Sequence, residues 1–285
     1  MSSVERPELA AVPETALWTL WQRAVEARRP DAVLHDPKAV DLVGRIDYPF
    51  AERFGTSGFQ SRFQALRVGC FDREVADFLA REPRGTVVCL GEGLETQYWR
   101  VDNGRARWLT VDLPEMTALR ERLLPPGPRQ RYLAGDATDL AWADEVDRDR
   151  AVLVTTQGLC MYLPPARVKA LIAGCADRFP GGSMVVDAVP RWFARLTVSG
   201  RMRTAAYQLP AMPWAMDAGE RDKLRTASPA VTAVRDVRPT GGRGLLGALL
   251  PLALAAPWLA AHRPSVTVLD FAGGPGPARP GSCTP

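Results

Sequence analysis

Short apolar runs alternate with amphipathic stretches between residues 85 and 190, and this alternation limits the possible folds more than any other feature of the sequence. An apolar run suits a strand buried on both faces, and the amphipathic stretch after it suits a helix packed on the sheet. The runs lie in five segments, residues 85–91, 106–114, 129–139, 150–165 and 181–190. Strands that alternate with helices form a mainly parallel sheet covered on both faces. The sequence therefore predicts a doubly wound α/β fold.

The first part of the chain, residues 1–82, reads as helices that precede the sheet. Leu17 and Trp21 recur at the spacing of one helix face. Asp36 is suited to cap the N-terminus of a second helix, in which Pro37 takes the first position. We expect this helical region to cap the sheet domain and to contribute to its cofactor and substrate site.

The sheet domain is predicted to extend over residues 83–271. Two β-rich runs, at 228–239 and 263–271, are expected to pair antiparallel at the edge and to bring the number of strands to seven. Residues 272–285 are rich in glycine and proline, a composition typical of disordered segments. We therefore expect one domain with a helical cap and a disordered tail.

An aromatic insertion follows the fifth predicted strand, at about residues 190–225. Its large side chains have the composition of a pocket wall or lid for a planar aromatic compound. They are Trp192, Phe193, Tyr207, Trp214 and the methionines Met202, Met212 and Met216. Packing in the core, or a plain surface excursion, would use the same residue types, and both alternatives stay open.

The charge and cysteine content exclude several function classes. The net charge is +4 and the arginines are scattered, which argues against a nucleic-acid-binding surface. The five cysteines show no C-x-x-C spacing and the chain has two histidines, so no metal site is predicted. Buried thiols in a reducing compartment are the expectation. Because residues 1–14 contain acids and prolines instead of an apolar stretch, we expect a cytoplasmic protein without a signal peptide.

One segment is long and apolar enough to raise the question of a membrane span. Residues Gly244 to Ala261 are eighteen uncharged residues, at the lower edge of spanning length. Pro251 and Pro257 interrupt the segment, and each removes a helical hydrogen bond. A buried helix and loop is therefore expected, with a membrane span as the alternative.

Polar residues and glycines follow each of the five predicted parallel strands. In open α/β sheets, ligands bind at the carboxyl ends of the strands, so these residues are expected to share one site. They are Gly91, Glu92 and Gly93 after the first strand, Asp112 after the second, Asp136 and its neighbours Gly135 and Ala137 after the third, Gln157 after the fourth and Asp187 after the fifth.

The residues around the glycine turn favour an adenosine without a pyrophosphate. A dinucleotide fingerprint requires a third glycine, and this chain has Thr96 there, while the charge of Glu92 would oppose a phosphate. Asp112 is suited to accept hydrogen bonds from ribose hydroxyls, and Asp136 from an adenine amine. S-adenosylmethionine meets these requirements, and Arg67 would be a cation for its carboxylate. For either acid, capping of the next helix is the alternative.

Five segments together resemble the leucine carboxyl methyltransferase family. The resemblance extends from about Thr15 to Phe271. Within the family, the chain is similar to the bacterial polyketide O-methyltransferase branch. The segments are QALRVGCFD (64–72), VVCLGEGLETQYWR (87–100), TVDLPE (110–115), GDATD (135–139) and TTQGLCMYLP (155–164). The resemblance implies a Rossmann-like class I methyltransferase that uses S-adenosylmethionine.

The resemblance also implies roles for individual residues. Arg67 would bind the cofactor carboxylate, Asp112 the ribose and Asp136 the adenine amine, with Gln157 beside the sulfonium. Five neighbours would complete the cofactor site, namely Gly91, Glu92, Gly93, Leu113 and Ala137. The chain departs from the family twice. Gln157 stands where members often have glutamate, and Glu95-Thr96-Gln97 stands where Asp-Thr-Arg is usual.

The acceptor decides whether the reaction needs a base. A carboxylic acid is already ionised near neutral pH, whereas a phenol would benefit from a general base. The candidate bases are few, namely Asp187, His35 and Tyr207, and His262 is the only other histidine. We therefore predict an O-methyltransferase that acts on a carboxylate of a small aromatic or polyketide-like molecule.

The sequence leaves three alternative functions open. They are methylation of a phenolic hydroxyl, a non-catalytic protein that binds S-adenosylmethionine, and a nicotinamide-dependent oxidoreductase. The missing third glycine argues against the oxidoreductase. The sequence predicts a small-molecule acceptor and no nucleic-acid or membrane partner, and it is compatible with a monomer or a dimer.

Overall fold

The computed structural model describes residues 13–240, 256 and 261–273, and its centre is a seven-stranded sheet. The strands are β1 (Thr86–Leu90), β2 (Arg107–Asp112), β3 (Gln130–Ala134), β4 (Val152–Thr156), β5 (Ser183–Ala188), β6 (Val231–Val237) and β7 (Ser265–Phe271). Their order is β3-β2-β1-β4-β5-β7-β6. The first five are parallel, and β7 is antiparallel to both β5 and β6. The predicted fold is confirmed.

Helices lie before the sheet and between its strands. Those before it are α1 (Glu14–Ala27), α2 (Pro37–Arg45), α3 (Phe50–Phe54) and α4 (Gly58–Arg81). Those after β1 are α5 (Gln97–Val101), α6 (Pro114–Leu123), α7 (Pro165–Arg178) and α8 (Arg191–Val198). The Asp36 carboxylate accepts from the Ala39 N–H at 3.0 Å, which confirms the predicted cap of α2.

The central strands β1, β4 and β5 are buried along almost their whole length. Successive side chains of a strand point to opposite faces, so both faces of these strands are covered. Val88 on β1 belongs to the same core cluster as Leu171 on α7. Its neighbour Val87 belongs to the cluster that includes Phe71 on α4. Helices on both faces therefore account for the unbroken apolar runs in the sequence. Four of the cysteines, Cys70, Cys89, Cys160 and Cys175, are free and buried, and Cys283 lies outside the described residues.

The insertion after β5 begins with α8 and continues into a short hairpin. This hairpin pairs Arg203–Thr204 with Tyr207–Gln208. After it, irregular backbone leads to a 3-10 segment, Ala218–Ala227, which precedes β6. The hairpin contacts the N-terminal helices, since Tyr207 packs edge-on against Phe54 with ring centroids 5.0 Å apart.

Two segments with a sequence-based prediction lie largely outside the described residues. Most of Gly244–Ala261 and residues 274–285 of the predicted tail are not among the described residues. Within the described ranges, no helix combines the length and the apolar character needed to cross a membrane.

Candidate active site

A cavity of about 850 Å³ opens at the carboxyl ends of the parallel strands. The neighbours of β1 in the sheet are β2 on one side and β4 on the other. The strand order therefore reverses direction at β1, and a crevice forms between the strand ends there. Crevices at such a switch point are the usual ligand sites of open α/β sheets. Side chains from α1, α4 and the insertion form the remaining walls. The fold thus places one large pocket where the sequence analysis expected it.

The structure brings the predicted cofactor residues together around this cavity. The lining includes Arg67, Gly91, Glu92, Gly93, Asp112, Leu113, Asp136, Ala137 and Gln157, and also Asp187. His35 and Tyr207 are not in the lining. His35 is exposed just before α2, and Tyr207, on the hairpin, is 1% exposed. Burial raises the pKa of the Tyr207 phenol, so it stays protonated and is not available to accept a proton. The structure thus removes His35 and Tyr207 as candidate bases.

The glycine turn and Asp112 form one hydrogen-bonded unit. Gly91 and Gly93 have φ values of 62° and 55°, a region that disfavours any residue with a Cβ. The Gly93 N–H donates to one Asp112 carboxylate oxygen at 2.7 Å, and the Leu113 N–H donates to the other at 2.8 Å. Burial raises the pKa of Asp112. Each oxygen keeps a lone pair with which it can accept a further hydrogen bond.

Glu92, inside the same turn, is neutralised by the protein. Its carboxylate forms an ion pair with Arg120 at 3.0 Å and accepts from the Thr110 hydroxyl. Arg120 also donates to the Gly93 and Glu95 carbonyls. The expectation that the charge of Glu92 opposes a phosphate is therefore wrong, because Arg120 compensates that charge. Exclusion of a dinucleotide depends on the missing third glycine alone.

Asp136 has local partners as well as a place at the cavity. One of its oxygens accepts from the Thr138 N–H and hydroxyl, at 2.8 and 2.7 Å, and the other pairs with Arg167 at 3.2 Å. Against the effect of burial, these partners lower the pKa of Asp136. The capping alternative is wrong for Asp136, because Asp139 caps the 3-10 segment that follows, Leu140–Glu145. The carboxylate stays ionised and keeps further acceptor capacity toward the pocket.

Arg67 and Asp187 meet at the pocket although they are 120 residues apart in the chain. Arg67 Nη1 donates to Asp187 at 2.8 Å, and the other Asp187 oxygen accepts from the Gly158 N–H at 2.8 Å. With one oxygen bonded to Arg67, the other to the Gly158 N–H and 3% exposure, Asp187 is held by the protein and is not a free general base. Its candidacy as the base is thereby corrected. No described residue accepts a hydrogen bond from the Arg67 Nε–H, and the side chain borders the cavity, so donors remain for a ligand carboxylate.

A buried ionic network behind the pocket was not anticipated from the sequence. Glu95 pairs with Arg23 and Arg100, both at 2.8 Å, and these arginines also bind Asp36 at 3.1 and 2.9 Å. Burial alone would raise the pKa of Glu95, but the charges of Arg23 and Arg100 outweigh burial and lower this pKa to about 2. One feature of the sequence could have indicated the network, namely that Arg23 lies among the buried apolar residues of α1. The network holds the cap helices against the glycine turn.

Gln157 is joined to this network. Its amide Nε2 donates to Glu95 at 2.8 Å, so its carbonyl oxygen is the polar atom left for the pocket. A glutamate at this position would set a second carboxylate against Glu95. The departure from the usual family residue therefore has a structural counterpart, since an amide is the neutral side chain that can donate to Glu95.

The aromatic insertion divides between pocket and core. Trp192, Phe193, Met202 and Met212 line the cavity. Trp214 and Met216 instead pack in the core beside α7, and Tyr207 packs from the hairpin against Phe54, so the pocket interpretation is wrong for these three residues. The sequence analysis missed two aromatic residues of the pocket mouth on α4, Phe59 and Phe63, which are 78% and 39% exposed.

The chain is similar to known methyltransferases. A family model described as leucine carboxyl methyltransferase matches residues 16–176. The tetracenomycin polyketide synthesis O-methyltransferase TcmP of Streptomyces glaucescens is 35% identical over 192 residues, which are 67% of this chain and 71% of that protein. The S-adenosyl-L-methionine-dependent methyltransferase dpfgK of Gibberella zeae is 31% identical over 60% of this chain and 62% of its own length.

Solved structures show the same fold at low sequence identity. A Thermobifida fusca protein, provisionally assigned as a methyltransferase, superposes with a TM-score of 0.56 at 17% identity and covers 90% of this chain and 94% of its own. The CurJ carbon methyltransferase gives a TM-score of 0.52 at 12% identity, with 92% and 68% covered. At such identities the likeness concerns the fold alone.

Proposed function

The chain belongs to the leucine carboxyl methyltransferase family and is an S-adenosylmethionine-dependent methyltransferase, and on this premise we propose that it methylates a carboxylate oxygen of a small aromatic, polyketide-like molecule. One observation carries the proposal. A single cavity joins a glycine turn anchored on Asp112 to a wall of aromatic side chains, so a cofactor and an aromatic acceptor have room side by side.

The polar groups around the cavity fit the parts of S-adenosylmethionine. Asp112 is a carboxylate for the ribose hydroxyls, Asp136 is a carboxylate for the adenine amine, and Arg67 is a guanidinium for the methionine carboxylate. When bound, the cofactor supplies a methyl group on a positively charged sulfur, which is already an activated leaving group. The work left to the protein is to hold the acceptor in line and to exclude water.

The state of the candidate bases favours a carboxylate over a phenol. Asp187 is held by Arg67 and the Gly158 N–H, while His35 and Tyr207 lie outside the cavity lining. A phenol with a pKa near 10 would arrive protonated, whereas an acid with a pKa near 4 arrives as the anion. The name of the Streptomyces glaucescens relative, a polyketide synthesis O-methyltransferase, supports a polyketide-like acceptor that is methylated on oxygen.

Calorimetry and product mass test the proposed function. We expect S-adenosylmethionine to bind and NADH not to bind. We also expect aromatic carboxylic acids to gain the mass of one methyl group, with products that hydrolyse in alkali as esters do. Matched phenols without a carboxyl group serve as the control panel. Methylation of the phenols alone would replace the carboxylate by the hydroxyl, and binding without transfer to any acceptor would indicate a non-catalytic protein.

The pH profile gives an independent prediction. Because a carboxylate acceptor is ionised throughout, kcat should change less than about twofold between roughly pH 6 and pH 8. His35→Ala should keep most of the turnover, since His35 is exposed and lies outside the cavity lining. Stopped assays over this range measure both. A rise of about tenfold per pH unit, or loss of turnover in a folded His35→Ala variant, would contradict the carboxylate and favour a base-assisted hydroxyl.

A further inference from the structure

The charged side chains that line the cavity are almost all paired. They comprise Glu92, Glu95, Asp112, Asp136 and Asp187, together with Arg23, Arg67, Arg167, Arg203 and Arg263. Arg23 pairs with Glu95, Arg67 with Asp187, Arg167 with Asp136, Glu92 with Arg120, and Arg263 with Asp236. Within the described part of the chain, this leaves Asp112 and Arg203 as the lining charges without an ion pair.

These two unpaired charges belong to different sides of the pocket. Asp112 ends β2, whereas Arg203 lies on the hairpin that follows β5 and α8. Because β1 and β4 separate β2 from β5, and neighbouring strands are about 4.8 Å apart, the ends of β2 and β5 are separated by about 14 Å. The negative charge is therefore on the cofactor side, and the positive charge comes from the aromatic insertion.

Arg203 is exposed to solvent and shares the cavity lining with apolar side chains of the insertion. The insertion residues that line the cavity with it are Trp192, Phe193, Met202, Leu209 and Met212. A guanidinium in a lining that also holds aromatic and thioether groups, and with which no acid among the described residues pairs, suits a flat molecule that carries an anionic group.

The backbone that carries Arg203 is held in place by the N-terminal helices. Arg53 on α3 donates to the Ala206 carbonyl at 2.8 Å, and Tyr207 packs edge-on against Phe54. Ala205 in the turn has φ +47°, a conformation that a non-glycine residue keeps only where the surroundings impose it. The hairpin is therefore a fixed support for the guanidinium.

We propose that Arg203 binds the acceptor carboxylate and so selects anionic over neutral aromatic molecules. The inference rests on the proposed function and adds to it the residue that recognises the acceptor. A guanidinium offers two parallel N–H donors that match the two oxygens of a carboxylate. Methylation turns the anion into a neutral ester, which removes the charge that Arg203 binds. The same contact thus favours substrate binding and product release.

Binding of naphthoate and of its neutral analogue naphthamide tests this assignment. Both are titrated calorimetrically into the full chain saturated with S-adenosylhomocysteine, and into the chain alone. We expect the wild type to bind naphthoate about 10- to 100-fold more tightly than naphthamide, as for a charge-assisted hydrogen bond. Arg203→Gln should abolish this preference, and Arg203→Lys should keep part of it because a charge remains without the fork.

Arg201→Gln is the matched control. Arg201 lies two residues away on the same segment, is exposed and is not in the cavity lining, so its loss removes the same charge from the surface without touching the pocket. We expect this variant to keep the full preference for naphthoate. S-adenosylhomocysteine should bind wild type and all variants with the same affinity.

The outcomes separate this inference from the proposed function. If S-adenosylhomocysteine binds but Arg203→Gln and Arg201→Gln discriminate naphthoate from naphthamide equally well, the assignment of Arg203 is overturned and the proposed function stands. A wild type that binds both probes equally also overturns it. If S-adenosylhomocysteine does not bind the wild type, the proposed function fails, and the assignment fails with it.

Discussion

Replacing Asp112 with alanine should raise the Kd for S-adenosylmethionine by about 100-fold or more. Two ribose hydroxyls would lose a charged acceptor, and hydrogen bonds to charged groups are each worth about 1.5–3 kcal/mol. The structure adds a second reason. The N–H groups of Gly93 and Leu113 donate to the two Asp112 oxygens, so alanine also releases the glycine turn from the end of β2.

Calorimetric titration of S-adenosylmethionine measures this effect. Glu115→Gln is the matched control because Glu115 is an exposed acid on α6, three residues from Asp112, and does not line the cavity. We expect this control to bind as the wild type does. A correctly folded Asp112→Ala variant with a Kd within threefold of the wild type would show that another group receives the ribose.

Replacing Arg100 with methionine should lower the free energy of unfolding by about 3–5 kcal/mol. Arg100 is nearly buried and reaches three carboxylates, with N···O distances of 2.7 Å to Asp72, 2.9 Å to Asp36 and 2.8 Å to Glu95. Without it, Arg23 is the remaining arginine of the network, and it pairs with Asp36 and Glu95 but not with Asp72. The cost arises because a carboxylate is left buried without its counter-charge.

Urea unfolding, with the slope held common to all variants, measures the change in stability. The control is Arg107→Met, which breaks an exposed pair with Asp147 and should cost less than about 1 kcal/mol. A loss below about 1 kcal/mol in Arg100→Met as well would mean that water solvates the network. Acid should act in the same direction. The pKa of Glu95 is lowered from 4.5 to about 2, so its contribution is complete above pH 4.5 and is lost as the pH falls toward 2.

The sheet and the cofactor side of the site were predictable because they follow from local pattern. An apolar run followed by an amphipathic stretch specifies a strand and its covering helix from neighbouring residues alone. A parallel sheet then brings all strand ends to one edge, so Asp112 and Asp136 could be assigned to one pocket without knowledge of any contact. The places of Asp112 and Asp136 follow from the parallel arrangement of the strands, and the alternation of apolar and amphipathic segments predicts that arrangement.

The contacts that decide charge and reactivity depend on docking between distant segments. Arg67 and Asp187 are 120 residues apart, and Arg23 and Glu95 are 72 residues apart. Nothing in the local sequence says that Asp187 will be neutralised by Arg67 and lost as a base. The helical cap must first pack on the sheet before these groups meet.

The aromatic insertion also shows that local sequence does not determine which side chains reach the pocket. Trp192 and Trp214 belong to one stretch of similar composition, yet Trp192 faces the cavity and Trp214 packs against the α7 side of the core. The sequence alone determined the fold, the cofactor class and the strand-end residues, because periodicity and strand order are local or topological. Only the tertiary structure decided which side chains are paired, which are free and which aromatic residues meet a ligand, because those outcomes depend on which distant surface each residue is pressed against.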